Sequence, residues 1–327
     1  MLALLKLKKM LQSLTKQNNF VIAYSGGVDS HVLLHAMTQL QKENANITLH
    51  AVHVNHHINL ASDSWEKHCK KICGELNIPI SVEKITLDLK PGDSLEEQAR
   101  LARYAALRKY LDKDTVLLTA HNLNDQAETF LLQALRGAGS KGLSAMPDIK
   151  KFGNRVLIRP LLHFSREQLE QYALENKLKW IEDDSNTNPR FRRNFLRQDI
   201  FPLLKKQYPA VIQNLARSAK LISEQEKIIA EMVKHDFEKI KTTDPKKIDL
   251  KKLREFSSEK QKLLLREWFC QNQLRMPNEK HLHQIQRDVI DASANSQPKF
   301  ALDNIVIKRD RAFLYLQLID TLDQLIT

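Results

Sequence analysis

The stretch Phe20-Val21-Ile22-Ala23-Tyr24-Ser25-Gly26-Gly27-Val28-Asp29-Ser30 constrains this chain more than any other. An apolar run of strand character enters Ser-Gly-Gly and leaves into an amphipathic helical pattern from His31 to Leu40. Glycines let a backbone turn tightly and approach a ligand closely. A helix start behind them presents unpaired N–H groups and partial positive charge, and successive loop amides add a concave anion nest. Ser25 and Ser30 can donate hydroxyl hydrogen bonds to phosphate oxygens. Asp29 would repel a phosphate directly. A carboxylate there makes sense through Mg²⁺, which takes oxygen ligands and is shared with phosphates. The loop reads as a pyrophosphate cradle, although it lacks the Gly-Lys-Ser/Thr ending of a Walker loop. The simpler alternative is a strand–turn–helix that needs its glycines for packing alone.

The first half of the chain alternates. Apolar, β-branched runs occur at Phe20–Tyr24, Ile47–Val54, Ile80–Ile85, Val116–Thr119 and Val156–Ile158. Helical patterns lie between them at Ser30–Gln41, Asp63–Leu76, Ser94–Leu111 and Asp125–Leu135. This predicts an α/β fold, a doubly wound and mostly parallel sheet with helices on both faces. Ligands of such sheets bind at the carboxyl ends of the strands, where the Ser-Gly-Gly loop falls. From Val211 to Lys241 a helical pattern runs without Gly or Pro, with Leu215, Ala219, Ile222, Ile229 and Val233 at helical spacing, and Thr242-Thr243-Asp244-Pro245 ends it. The remainder is Lys-rich and mainly helical, with Leu253, Leu264, Trp268 and Phe269 as expected core. Short strands follow at 300–302, 305–307 and 313–316, separated by turns at Asp303-Asn304 and Arg309-Asp310-Arg311. The expected division is a catalytic domain over 1–210, a linker helix over 211–244 and a small C-terminal α+β domain over 245–327.

A length of 327 residues suits two domains, and 42% hydrophobic residues can build an ordinary core. The formal charge of +12 favours a polyanionic partner, nucleic acid first, although solubility alone also explains it. No apolar run approaches the roughly 20 residues of a membrane span, and lysines break the start, Met1 to Met10. Three cysteines make no disulfide framework, which points to the cytoplasm. Cys69 and Cys73 share a helix face with apolar neighbours and read as buried thiols. No Cys-x-x-Cys occurs, against a zinc ribbon or an iron–sulfur cluster. His53, His56 and His57 lack a clean metal-ligand pattern and leave a strand toward the cradle.

A second polar cluster, His121-Asn122-Leu123-Asn124-Asp125-Gln126-Ala127-Glu128-Thr129, leaves the strand at 116–119 and opens a helix. Asp125 and Glu128 lie on adjacent turns of one face. They can hold Mg²⁺ or orient an amine, or they can serve a helix start capped by Asn124, and the residues alone leave both open. A glycine-rich loop with Arg136 and Lys141 comes next, then Arg159-Pro160-Leu161-Leu162, then Glu182-Asp183-Asp184-Ser185-Asn186. In the run Arg190 to Arg197, Arg193 and Arg197 share a helix face. That face suits phosphate, or it is a solvated surface anchored by Phe191 and Phe195.

The pattern Ser-Gly-Gly-x-Asp-Ser resembles the PP-loop of the N-type ATP pyrophosphatases, which cleave ATP between its α- and β-phosphates. The ordered set is more specific: His-x-x-x-Asp-Gln-x-Glu-Thr, Arg-Gly-x-Gly-x-x-Gly-Leu, Arg-Pro-Leu-Leu, Glu-Asp-x-Ser-Asn and Arg-Asn-Phe-Leu-Arg, with Glu97-Gln98-Ala99-Arg100 and Arg103-Tyr104 before them. Across the whole chain it is similar to the tRNA(Ile)-lysidine synthetases. The resemblance implies that the C2 oxygen of the wobble cytidine in a CAU-anticodon isoleucine tRNA attacks the α-phosphate of ATP and pyrophosphate leaves. The ε-amine of L-lysine then displaces AMP and forms lysidine, so that the tRNA reads AUA instead of AUG. It implies ATP at Ser25, Gly26, Gly27, Val28, Asp29, Ser30 and His53, with Mg²⁺ through Asp29. It implies catalytic roles for Asp29, Asp125, Glu128 and Arg100, and tRNA contacts at Arg103, Arg136, Arg193 and Arg197. A homodimer is compatible with the family, and so is a further C-terminal domain, since the chain ends soon after Tyr315.

Two departures stand out. Asn122 and Asn124 replace a His and an Asp common in the family, so acid–base work falls to Asp125. Val54-Asn55-His56-His57-Ile58-Asn59 replaces the usual Asp-His-Gly-Leu-Arg after the second strand. A tRNA 2-thiolation enzyme shares the loop, but Cys69, Cys73 and Cys270 lack the spacing for reactive or cluster-binding thiols. GMP- or NAD-synthetase-type ligases would leave the basic charge unexplained. A tRNA-binding protein gated by ATP without catalysis is the rival of a different class.

Overall fold

The computed structural model describes residues 4–57, 61–87, 94–182, 192–293 and 296–318. The chain forms two compact units, Met1–Ser223 and Glu224–Thr327. In the first unit α1 (Leu4–Leu14) precedes β1 (Asn19–Ala23), α2 (Val28–Glu43), β2 (Thr48–Asn55), α3 (Ser62–Glu75) and β3 (Ile80–Lys84). Then come α4 (Leu95–Arg108), β4 (Thr115–Leu118), α5 (Leu123–Leu135), the short α6 (Ser140–Leu143), β5 (Ile149–Phe152) and β6 (Arg155–Ile158). The unit continues with α7 (Arg166–Glu175) and α8 (Arg192–Phe195), which passes through a π-helical turn at Leu196–Ile200 into α9 (Phe201–Gln207). Helix α10 (Val211–Ile240) contains the boundary between the units.

The sheet order is β3-β2-β1-β4-β6-β5. Every neighbouring pair is parallel except β5–β6, an antiparallel hairpin at one edge. The chain moves outward from β1 to β3 and then returns to β4 on the other side of β1. The strand order therefore reverses between β1 and β4, and a crevice opens outside their carboxyl ends. Each face of the sheet has its own core, as strand alternation requires. Phe20, Ile22 and Tyr24 pack with α1, α2, α3 and α7, where Leu33, Leu34, Met37, Cys69 and Cys73 are fully buried. Val21, Val52, Leu117 and Leu157 pack against Leu107 and Leu111 beneath α4. Cys69 and Cys73 are thus core thiols, and burial pushes both up to about 12.

The sequence patterns place the parallel strands within a residue or two of their observed bounds. They miss β5, whose Ile149-Lys150-Lys151-Phe152 carries no alternation, since its first three side chains are exposed. A left-handed Gly153 makes that hairpin possible.

In the second unit β7 (Lys247–Asp249) leads into α11 (Leu250–Arg254), α12 (Ser258–Gln271) and α13 (Glu279–Ile285), which widens into a π-helical turn at Gln286–Ile290. Strands β8 (Lys299–Leu302), β9 (Ile305–Arg309) and β10 (Phe313–Leu318) follow, and the antiparallel order is β7-β10-β9-β8. Leu253, Leu264, Trp268 and Phe269 are core, and the Trp268 indole N–H donates to the carbonyl of Pro245 at 3.0 Å. A buried arginine closes this unit. Arg309 donates to the carbonyls of Val289, Ile290, Ala292 and Ser293 at 2.6–3.1 Å, at the end of the π-helical turn, where helix carbonyls lack partners of their own. Arg309→Met keeps the bulk and strands those acceptors. It is expected to cost about 2–4 kcal/mol, read as a lower urea midpoint for the Trp268 fluorescence transition.

Candidate active site

The crevice is built from three strand ends. After β1 the chain reaches Gly26 with φ +86, and a Cβ there would stand 2.6 Å from Ile181 Cδ1 and 2.9 Å from Cys69 Sγ. The Ile181 amide also donates to the Gly26 carbonyl at 3.0 Å. Both the backbone conformation and the close approach demand glycine. Ser30 fixes the loop, since its hydroxyl donates to the Gly27 carbonyl at 2.9 Å and accepts from the Ser25 amide at 3.2 Å. Gly27 is the N-cap of α2 and has no side chain to cap with, so the helix amides face the loop unshielded. The expectation of a cradle for phosphate rests on this geometry.

Asp29 opens α2 at the floor of the crevice. Burial, reinforced by the charge of Asp125, pushes its carboxyl up to about 6, and its Oδ1 is buried without a hydrogen-bond partner. A buried, unpartnered carboxylate oxygen beside a second carboxylate fits a divalent cation. A protein donor set this small suits Mg²⁺, which keeps waters and substrate phosphates in its shell.

Asp125 comes from the end of β4. Asn122, not Asn124, is the N-cap of α5: its Oδ1 accepts from the amides of Asn124 and Asp125 at 2.9 and 3.1 Å. Asp125 Oδ2 accepts in return from the Asn122 amide at 2.9 Å, completing a capping box. Asn124 instead accepts from the Arg166 amide at 3.1 Å and ties α5 to the start of α7. Asparagine at 122 therefore supports the backbone that aims Asp125, a task for which an amide serves well.

Arg197, expected at the tRNA, pairs with the two carboxylates of α5. Its Nη2 donates to Asp125 Oδ1 at 2.7 Å and to Glu128 Oε2 at 2.9 Å, and its Nε donates to Glu128 Oε1. The π-helical turn that starts at Leu196 carries the arginine, a local rewinding common at functional positions. Glu128 is only 1% exposed, and burial pushes its carboxyl up against the pull of Arg197. Glu128 therefore has both carboxylate oxygens engaged by one guanidinium. Phe195, expected as a buried anchor, is 46% exposed. Asp183 to Phe191 lie outside the described residues.

The cations divide. Arg103 is accessible at the mouth of the crevice, and its charge and those of Arg159 and Arg193 bear on His121. His121 is held neutral, lowered to about 4, by burial first, while its Nδ1 meets Thr119 Oγ1 at 2.9 Å. Arg100, one turn before Arg103 on α4, lies over the Tyr104 ring at 5.8 Å. Arg193 stands 3.9 Å from Glu96. Arg136 is exposed at the far end of α5, about 16 Å along the helix from Asp125. The structure does not bring it to the carboxylates. His53, expected at the nucleotide, is 4% exposed, with Nδ1 directed at the Tyr24 carbonyl at 3.0 Å, so it braces the ends of β1 and β2.

Three contacts in the site were not legible in the sequence, although Gln126 and His56 stand in stretches it singled out. Gln126 exchanges hydrogen bonds with the backbone of Met146 at 2.7 and 2.9 Å and anchors the glycine-rich loop. Arg166 lies within range of Asp29, lowering its carboxyl against burial. His56 has both ring nitrogens buried without partners, and burial first, then Arg103, lowers it to about 4. A pocket of about 180 Å³ beside the carboxylates is lined by Asn124, Glu128, Arg166, Glu167, Arg197 and Lys205, among others.

A parallel sheet with an anion cradle at its switch point, facing paired carboxylates, defines an ATP-utilising α/β protein of the PP-loop class, and residues 3–204 match the PP-loop domain model. Residues 248–315 match the TilS substrate binding domain. The chain is 44% identical to the tRNA(Ile)-lysidine synthase of Coxiella burnetii over 95% of its own length and 69% of that protein's. It is 40% identical to the enzyme of the same name from Haemophilus influenzae, covering 95% and 72%. The chain belongs to the tRNA(Ile)-lysidine synthase family. A solved structure with the same fold is a U34-tRNA thiolase from Methanococcus maripaludis, at TM-score 0.56 and 20% identity over 67% of this chain and 77% of that one. No helix among the described residues is long and apolar enough to cross a membrane.

Replacing Arg197 by Met leaves Glu128 buried without its partner. The expected loss of stability is about 3–5 kcal/mol at pH 8. A carboxylate costs burial energy only when ionised, and its folded pKa then lies further above the unfolded value. The loss therefore shrinks as pH falls toward 5, which urea titrations at the two pH values will show.

Proposed function

We propose that this protein joins L-lysine to C2 of the wobble cytidine in a CAU-anticodon isoleucine tRNA, using ATP and releasing AMP and pyrophosphate. The observation that carries this reading is the pairing, at one strand-order reversal, of a phosphate cradle with a carboxylate clamped by arginine, in a chain that also carries the substrate-binding unit of the family.

The loop amides and the Ser30 corner bind the β- and γ-phosphates and orient the leaving pyrophosphate. Asp29 would hold Mg²⁺ by its free Oδ1, with Asp125 close enough to feel its charge. When bound, that ion supplies positive charge to the pyrophosphate as it departs. Arg103 and Arg193 at the mouth hold the nucleotide chain, and Arg100 lies one helical turn away. The second step needs a neutral lysine amine. Asp125, aimed by the Asn122 cap and Arg197, orients that amine and accepts its proton. The pocket beside it carries Arg166 and Lys205 together with Glu167, a mixed lining that suits the α-carboxylate and α-amine of a zwitterion. The basic unit over 245–327 contacts the tRNA body through phosphates, and specificity comes from the unstacked anticodon base.

Labelled L-lysine mixed with ATP, Mg²⁺ and protein should enter the CAU-anticodon isoleucine tRNA and not an elongator methionine tRNA, with AMP released. AMP release that requires a sulfur donor instead would move the function to thiolation. Tight tRNA binding with no AMP would support the ATP-gated binder. Asp29→Asn is expected to lower the adenylation rate at least 100-fold. Burial and the charge of Asp125 push the Asp29 carboxyl up to about 6, so protons compete with Mg²⁺ there, and at limiting Mg²⁺ wild-type adenylation should fall as pH drops below that value. A pH profile of pyrophosphate release reads both effects.

A further inference from the structure

Arg159 follows β6 directly, at the same sheet edge as the cradle and beside the end of β4. It is only 4% exposed. Its Nη1 donates to the Pro147 carbonyl at 2.7 Å and its backbone amide to the Asp148 carbonyl at 2.9 Å. The Tyr104 hydroxyl is a further partner of the guanidinium. Its Nε is buried with no partner at all. Among the described residues no carboxylate forms a salt bridge with it. Asp148, whose charge reaches it, has Oδ1 2.7 Å from His163 Nε2.

Other cations gather instead. Lys150, exposed on β5, shares a sheet face with Phe152, which packs against Tyr104 of α4 at 5.4 Å between ring centroids. Burial, then the charges of Arg159 and Arg100, lower its ammonium. Arg103, exposed at the mouth, also feels the charges of Arg100 and Arg193. A buried cation among like charges is costly unless an anion completes the group. The Pro147 carbonyl and the Tyr104 hydroxyl together leave the Nε donor unused.

Building on the lysidine-forming reading, we propose that Arg159, with Lys150 and Arg100 at its rim, forms an anion cup that binds a phosphodiester of the RNA substrate, separate from the cradle at Ser25–Ser30. The two anion sites lie two strand intervals apart across β4, about 10 Å. His121 and Asp125 stand at the strand between them. A cytidine brought to Asp125 for attack on ATP has its own backbone phosphates beside it, and the cup lies on the side away from the loop. An ATP phosphate is the other source of the same chemistry.

The test uses the full chain, fluorescently labelled tRNA and a salt series, with wild type, Lys150→Ala and Arg159→Met. Each variant should weaken tRNA binding about 3- to 10-fold and flatten the slope of log Kd against log salt by about 0.7–1, the signature of one lost phosphate contact. Affinity for a non-hydrolysable ATP analogue should stay at the wild-type value. A merely structural role for Arg159 would leave the slope unchanged. Lys150 is exposed, so Lys150→Ala decides the matter if Arg159→Met fails to fold. Variants that bind tRNA like wild type, with the same slope, overturn the cup. Loss of ATP-analogue affinity with tRNA binding intact assigns the anion to the nucleotide and overturns it too. Wild-type protein that binds no tRNA would instead sink the functional reading on which the cup rests.

Discussion

Three carboxylates crowd the crevice between β1 and β4, and the site depends on how their charge is balanced. Asp29, Asp125 and Glu128 are each largely removed from water, where an ionised group is costly without a partner. Arg197 resolves two of them at once by reaching Asp125 and Glu128 with one planar guanidinium. Asp29 is left with an unpartnered oxygen. The balance is therefore asymmetric. Glu128 has both oxygens on Arg197, Asp125 is shared between Arg197 and the Asn122 amide, and Asp29 keeps one oxygen without a partner.

The frame that holds this arrangement is backbone hydrogen bonding more than side-chain bulk. Asn122 caps α5 and so fixes where Asp125 points. Ser30 and Gly26 shape the loop, and the latter admits Ile181 and Cys69 so closely that no side chain fits between them. The π-helical turn after α8 brings Arg197 around to face inward. Cations then separate by partner. Arg197 pairs with two carboxylates, while among the described residues neither Arg103 nor Arg159 forms a salt bridge.

Much of this was legible in the sequence because the relevant signals are local. Alternation of five apolar β-branched runs with helical patterns is a short-range property, and so are the glycines of the loop and the core spacing of Leu253, Leu264, Trp268 and Phe269. Cys69 and Cys73 were readable as buried thiols for the same reason. The edge hairpin was not, since β5 exposes three of its four side chains and so lacks a period. The misassigned cap shows the limit at single-residue scale, as Asn122 and Asn124 are both competent caps and only the backbone path after β4 selects one.

The sequence by itself determined the parallel α/β architecture, the phosphate-binding loop and the residue types of the chemistry, because periodicity, turn chemistry and charge are written in neighbouring positions. Tertiary structure alone decided which charges meet. Arg197 and Asp125 lie 72 residues apart and Arg197 and Glu128 lie 69 apart, and no local pattern pairs them. The same holds for Arg159, whose motif was visible but whose burial, orphaned Nε and cationic neighbours arise only when β6, β5 and α4 come together. Whether an arginine braces the protein or waits for a ligand depends on which acids the fold brings within reach, and that is a property of three-dimensional distance.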